Sequence, residues 1–356
     1  MHWIWSWSFA ATAATILSGA LAGRILVRSY CLVSFLMVGL IYPLGAHWIW
    51  AEEGWLGQLG AIDFAGSGAV HLMGGSAGML GTWYLGARAG VFSPSGRYFP
   101  TRSSPLNSIF GCILLVIAWI SFDASSVGTI SGGNEITAGL AGTNTAIAAG
   151  TGCIVGIMYS VVMHPAFVDT MELVTGTISA LVAVTASCAS VQPWEAAIIG
   201  ILGSIAGILS GEIFIRLRID DPVAALPCHL VNGFTGVIFV GLFANDPTKP
   251  GNEYIYSTDS STPGLFHGGG FRQLGVQLLT AVTMVVLGAG GSWIILATVG
   301  LCMPVRVTEE EEKRGLDEVE HNAILVRITT TDPIEPQTKE ERKSFRRRKS
   351  SRMIAP

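Results

Sequence analysis

Nine apolar runs of roughly twenty residues each divide this chain, and they constrain its fold more than any other feature. They cover about 3–22, 30–50, 64–85, 106–123, 136–162, 171–190, 195–217, 222–244 and 273–303. In a hydrocarbon layer ~30 Å thick a free peptide group finds no water, so a spanning segment must bond its backbone internally, as a helix does. The charges agree: 50% of the residues are hydrophobic and only 13% are charged, which excludes an ordinary soluble domain. The reading is an all-α polytopic membrane protein. The fifth and ninth runs are long enough to tilt or to extend past the bilayer. The sixth is the weakest, with Glu172 near its start and many Thr and Ser.

Glycine and cysteine usage fits a packed helical bundle. The chain has 44 glycines. Gly203, Gly207 and Gly211 recur every fourth residue, as do Gly74 and Gly78, and such rows let helix backbones approach closely. The six cysteines lie in or at the ends of apolar runs and form no CxxC pair. They read as small packing residues rather than as a disulfide framework or zinc site.

The loops orient the bundle. Arg24 and Arg28 lie in the first loop, Arg88, Arg97 and Arg102 in the third, and Arg216 and Arg218 in the seventh. The second, fourth and sixth loops have no Lys or Arg, and the eighth has only Lys249 and Arg272. Cytoplasmic loops carry the positive charge, so the N-terminus is expected outside and the C-terminus inside. Trp48, Trp50, Trp55 and Trp194 then lie near the outer interface. Nine of the 21 Lys and Arg precede residue 304 and twelve follow, so the body offers no basic groove for nucleic acid.

Two histidines interrupt this apolar chemistry. His71 follows Asp63 by eight residues, and His229 follows Asp221 by eight. Eight helical residues rise ~12 Å, which places each imidazole near the midplane of the layer. An ionisable group at that depth is costly and by default marks a substrate or proton path. With the orientation above, one segment runs inward from outside and the other outward from the cytoplasm. Opposed segments meeting at midplane are the pattern of an inverted repeat. The half holding Asp221 has five spans and the half holding His71 only three. Two spans are therefore expected ahead of Met1, either because the sequence is incomplete or because this is a non-conducting fragment. The opening Trp3, Trp5 and Trp7 lack the basic region of a secretory signal.

Four stretches carry a resemblance. Residues 63–75 read DFAGSGAVHLMGG, residues 220–236 read DDPVAALPCHLVNGFTG, residues 46–50 read AHWIW, and residues 307–321 read VTEEEEKRGLDEVEH. Together they resemble the ammonium transporter, methylammonium permease and Rhesus family, most closely its ammonium-transporter branch, from about residue 8 to residue 322. The resemblance implies an eleven-span inverted-repeat bundle around a pore, of which nine spans are present here, and a homotrimer in the lipid bilayer. It implies transport of ammonium or ammonia, and of methylammonium, with no cofactor, no metal and no enzymatic step. The expected localisation is the plasma membrane. An ammonium sensor and a Rhesus-like gas channel remain alternatives.

Residue roles follow by the same resemblance. His71 and His229 face each other across the pore. Phe9 and Phe122 are stacked gating rings, and Trp119 lines the lumen. Trp50 and Ser126 form an outer recruitment site, where a ring face attracts a cation by ~0.5–2 kcal/mol. Asp63 and Asp221 begin the two helices, and capping is the expected role of both. Gly315 and Asp317 belong to a regulatory tail. The expected divisions are a transporter domain at 1–303, an ordered cytoplasmic tail at 304–326 and a disordered basic tail at 327–356. Three positions depart from the family. Asp123 replaces an Asn and adds a possible negative charge near the outer mouth. Gly23 stands where Glu is common, and Val319 where plant relatives carry a regulatory threonine.

Overall fold

The computed structural model describes residues 2–99 and 104–321. Among the described residues thirteen α-helices follow one another: α1 His2–Leu21, α2 Val27–Leu36, α3 Tyr42–Trp50, α4 Trp55–Gln58, α5 Met73–Leu85, α6 Pro105–Ser125, α7 Glu135–Met163, α8 Thr170–Thr185, α9 Pro193–Arg216, α10 Asn232–Phe243, α11 Arg272–Cys302, α12 Glu309–Arg314 and α13 Leu316–His321. Short π-helical turns join α2 to α3 at Met37–Ile41 and precede α5 and α10 at Ser67–Leu72 and Leu226–Val231. The starts obey local chemistry. Pro105 and Pro193 sit in first turns, where a missing N–H is harmless. Gln192 and Glu195 form a reciprocal capping box on α9. The Asp169 carboxylate accepts from Met171 N at 2.9 Å.

All nine expected spans are helical; the second begins three residues early, at Val27, the eighth begins four residues late, at Leu226, and two further ends are displaced. The third starts as a helix at Ser67 instead of 64, because the Asp63 carboxylate takes the Gly66, Gly68 and Ala69 N–H groups and Gly66 turns at φ +106°. The sixth stops at Thr185 instead of 190. Beyond it the backbone bonds to other elements: Phe64 N donates to Ala186 O, Tyr256 N to Ala189 O and Asn245 N to Ser190 O. Among the described residues, seven helical stretches are long and apolar enough to cross a membrane. Those starting at Ser67 and Thr170 are not among them. The helix at Thr170–Thr185 is apolar but only 16 residues long, and the stretch from Ser67 to Gly78 is buried within protein, where a helix surrounded by helices needs no lipid-facing apolar surface.

Residues 2–313 form one compact unit and residues 314–321 begin a second. In the first, α5 packs between α1 and α11, α8 lies against α7 and α9, and α10 against α11 and α8. Small residues set these approaches. A methyl added at Gly203 would lie 2.5 Å from Ala183 Cβ, and one at Gly207 would strike the Ser179 side chain. Gly211, the third of that row, faces only Pro227 Cγ at 3.7 Å. Gly74 and Gly78 do abut α1, at Ala13 O and Ala20 Cβ. At the far end from Trp50, a buried Arg24 donates Nη2 to Asp220 O at 2.9 Å, and Arg88 grips the Asp220 carboxylate through Nε at 2.8 Å and Nη2 at 2.9 Å. Burial holds the Arg24 guanidinium down to about 10. Burial alone would raise the Asp220 carboxyl, but the Arg88 hydrogen bonds overcome it and hold that group below its ordinary value. Val307 N donates to Arg24 O at 3.1 Å, tying the segment after α11 to this cluster. In the second unit Gly315 turns at φ +98° ahead of α13, where Asp317 is exposed. The expected disordered tail at 327–356 lies outside the described residues.

Candidate functional site

Two discontinuous helices build the centre of the site. The π-turn with His71 rests against α10, and the π-turn with His229 against α5. The contact is reciprocal. Gly75, four residues after His71, faces the Leu230 backbone N, and Gly233, four residues after His229, faces the Leu72 backbone N. No side chain fits at either crossing. The extra residue in each π-turn shifts the helical phase at the histidine, a device often found at functional sites. Asp63 anchors the first turn through hydrogen bonds of 2.8–3.1 Å from three backbone N–H groups. Asp221 anchors the second by accepting from Leu226 N at 2.6 Å and, weakly, from Val223 N at 3.4 Å.

His71 Nδ1 and His229 Nδ1 are 3.2 Å apart, with ring planes inclined by 15°. One nitrogen must donate and the other accept. In a neutral pair, therefore, one outer Nε2 is a free acceptor and the other carries a proton. His71 Nε2 is buried and has no hydrogen-bond partner. Trp119 stacks on His71 at 4.8 Å between centroids and donates Nε1–H to Thr185 Oγ1 at 2.7 Å. A cavity of about 120 Å³ lies beside His71, lined also by Thr12, Leu115, Ala118, Trp119 and Phe122. Its lining is apolar apart from His71 and Thr12, and the Thr12 hydroxyl is committed to Ser8 O at 2.8 Å.

Aromatic rings pack beside this cavity, which Phe122 lines. Phe9 and Phe122 stack at 3.8 Å with planes 10° apart. Trp50 meets the Phe9 edge at 5.7 Å, and its indole N–H donates to Asp63 O at 2.7 Å. Trp5, which sequence reasoning missed, packs on Phe9 at 4.2 Å and on Trp50 at 6.1 Å. Its i, i+4 spacing from Phe9 was the available signal. Ser126 lies one turn beyond Phe122 and donates to Phe122 O at 2.9 Å. Trp50 and Ser126 are joined through the Phe9–Phe122 stack rather than by a contact of their own. The Asp123 side chain is not exposed at the mouth: it is fully buried, and its Oδ2 lies 2.6 Å from Thr145 Oγ1.

The profile of the Ammonium Transporter Family matches residues 1–324. This chain belongs to the ammonium transporter family. It is 35% identical over 320 residues to "Putative ammonium transporter 3" of Caenorhabditis elegans, covering 88% of this chain and 44% of that protein. It is 33% identical over 325 residues to "Ammonium transporter 3" of Dictyostelium discoideum, covering 90% and 74%. This family member thus spans less than half of the worm relative and about three quarters of the amoebal one. Among solved structures, "Sensor Amt Protein" superposes with TM-score 0.77 at 32% identity, covering 88% of this chain and 74% of that one. Candida albicans Mep2 superposes with TM-score 0.75 at 28% identity, covering 85% and 65%.

Proposed function

We propose that this ammonium transporter family member conducts ammonium across a membrane through the cavity beside His71. The carrying observation is the row of Phe9–Phe122, His71 and His229, with an unbonded, buried His71 Nε2 beside an apolar cavity. Taking a bare ion into such a lining costs several kcal/mol or more. Neutral ammonia carries no such cost. The ion therefore gives up one proton near the aromatic end, NH4+ becoming NH3. His71 Nε2 takes that proton, the proton on His71 Nδ1 moves to His229 Nδ1, and His229 Nε2 releases one on the far side, while ammonia passes the imidazoles as hydrogen-bond donor and acceptor. An acceptor Nε2 at one ring and a donor Nε2 at the other suit a molecule that does both. The stacked phenylalanines close the route and must part for each passage. Methylammonium, one methyl larger, follows the same path.

Trp50 and Ser126 form the recruiting end, and Asp63 and Asp221 hold the two histidine turns. The membrane is the plasma membrane, with the aromatic end outside and the C-terminus cytoplasmic, in keeping with the distribution of Arg and Lys. The assembly is a homotrimer, and the segment around Gly315 and Asp317 is regulatory. Residues 1–303 act as the transporting body and 304–321 as an ordered tail. The likeness to a structure titled as a sensor favours a second reading, in which the same site reports ammonium without appreciable flux.

Cells stripped of their own ammonium uptake separate the two readings. The chain should restore growth on limiting ammonium and confer sensitivity to methylammonium. Membrane-inserted chain with no growth would leave only the sensor. Trp50→Leu should raise the half-saturating methylammonium concentration by roughly two- to thirty-fold, the equivalent of a ~0.5–2 kcal/mol ring–cation attraction. Uptake kinetics in the same cells measure it, and an unchanged concentration would reduce Trp50 to a packing residue.

A further inference from the structure

Asp123 is buried in α6 with no cation paired to it among the described residues. Its surroundings can be counted proton by proton. Oδ2 lies 2.6 Å from Thr145 Oγ1, and that same oxygen lies 2.8 Å from the Ala141 carbonyl. A carbonyl only accepts, an ionised carboxylate only accepts, and a threonine hydroxyl has one proton. With Asp123 ionised, Thr145 would satisfy one acceptor and confront the other with a lone pair. The other neighbours do not help. Thr185 and Cys188 also face the carboxyl. The Thr185 hydroxyl donates to Leu181 O at 2.7 Å and already receives the Trp119 N–H. The Cys188 thiol points at Thr185 O at 3.3 Å. Asp123 Oδ1 is buried with no hydrogen-bond partner, a position far more costly for a carboxylate oxygen than for the C=O of an acid.

We propose that Asp123 is held as the un-ionised acid and is a positioning residue for the pore. Oδ2–H donates to Thr145 Oγ1, and Thr145 donates onward to Ala141 O. One proton on Asp123 completes the chain, and no group is left with two claims on it. Trp119 and Asp123 stand four residues apart on one face of α6. One is fastened to α8 through Thr185, the other to α7 through Thr145. Phe122, between them, is thereby presented to Phe9. Asp123 thus acts as a neutral donor, as an Asn amide would, and brings no charge to the aromatic mouth.

The protonation claim is independent of transport; the positioning claim rests on the reading of the site as a pore. Infrared difference spectra of the full chain in liposomes, wild type minus Asp123→Asn, test the first. The expected difference is a carboxylic-acid C=O band, sensitive to deuterium, that persists from about pH 5 to 9, well above the ordinary Asp range. A carboxylate pair in its place would overturn the proposal. Methylammonium uptake tests the second. Asp123→Asn, which keeps a donor toward Thr145, should stay within about twofold of wild type with an unshifted pH profile, whereas Asp123→Ala should lose about tenfold or more. A shifted pH profile in Asp123→Asn would instead make Asp123 a titrating group. Should Asp123→Ala fail to fold, Asp123→Asn and the spectra still decide. A chain that carries the band but moves no methylammonium refutes the pore and leaves the protonation standing.

Discussion

Replacing His71 or His229 with Ala changes the charge moved per methylammonium taken up, and lowers uptake by about tenfold or more. Among the described residues, each ring supplies the only side-chain partner for the other's Nδ1, at 3.2 Å. Losing either one frees the tautomer of the survivor and removes the ordered donor–acceptor pair from the lumen. A deleted imidazole also leaves space beside Trp119, which stacks on His71. The two variants should differ. His71→Ala strips the ring beneath the aromatic gate, and His229→Ala leaves that stack in place. Current and isotope uptake recorded on the same vesicles measure both quantities, and two variants unchanged in both would remove the pair from the mechanism.

The second large effect is structural and reciprocal. Gly75→Ala and Gly233→Ala each drive a methyl into the backbone next to the opposite histidine, at Leu230 N and Leu72 N respectively. Backbone cannot rotate aside as a side chain does, so the half-helices must separate, at a cost of about 1–3 kcal/mol or more for overpacking. Both variants should lose thermal stability in detergent and lose uptake by about tenfold or more. Gly111→Ala and Gly150→Ala are the matched controls. Both lie within helices with nothing within 4 Å of the added methyl, and removing an interior glycine there stabilises by about 0.5–1 kcal/mol. Equal behaviour of all four would mean that the reciprocal crossing does not hold the histidines.

These two sets of residues also mark what the sequence reveals and what it hides. The spans are legible because apolar runs of helical length follow from the physics of the bilayer. The two Asp-to-His segments are legible because charge is so scarce elsewhere. Helix ends are less so. The stop at Thr185 depends on carbonyls at Ala186, Ala189 and Ser190 that bond to residues far away in the chain, and no local pattern records it. The π-turns are hidden for a similar reason, since one inserted residue barely alters an apolar periodicity. Phe9 and Phe122 are 113 positions apart and stack at 3.8 Å, a pairing that only likeness to a family supplies. The burial of Asp123 is not legible from its neighbours in sequence, although its spacing from Trp119 puts both on one helix face. If Trp119 is fastened inward, Asp123 follows it, and the carboxyl expected at the mouth is buried instead.

The central claim is that this chain itself moves ammonium past the histidine pair. Liposomes containing only the purified chain test it most directly, with labelled methylammonium outside and ammonium as competitor. Uptake should rise above that of empty liposomes, saturate, fall when ammonium is added, and collapse in His71→Ala. Folded chain in sealed liposomes with uptake no greater than the empty ones would contradict the account.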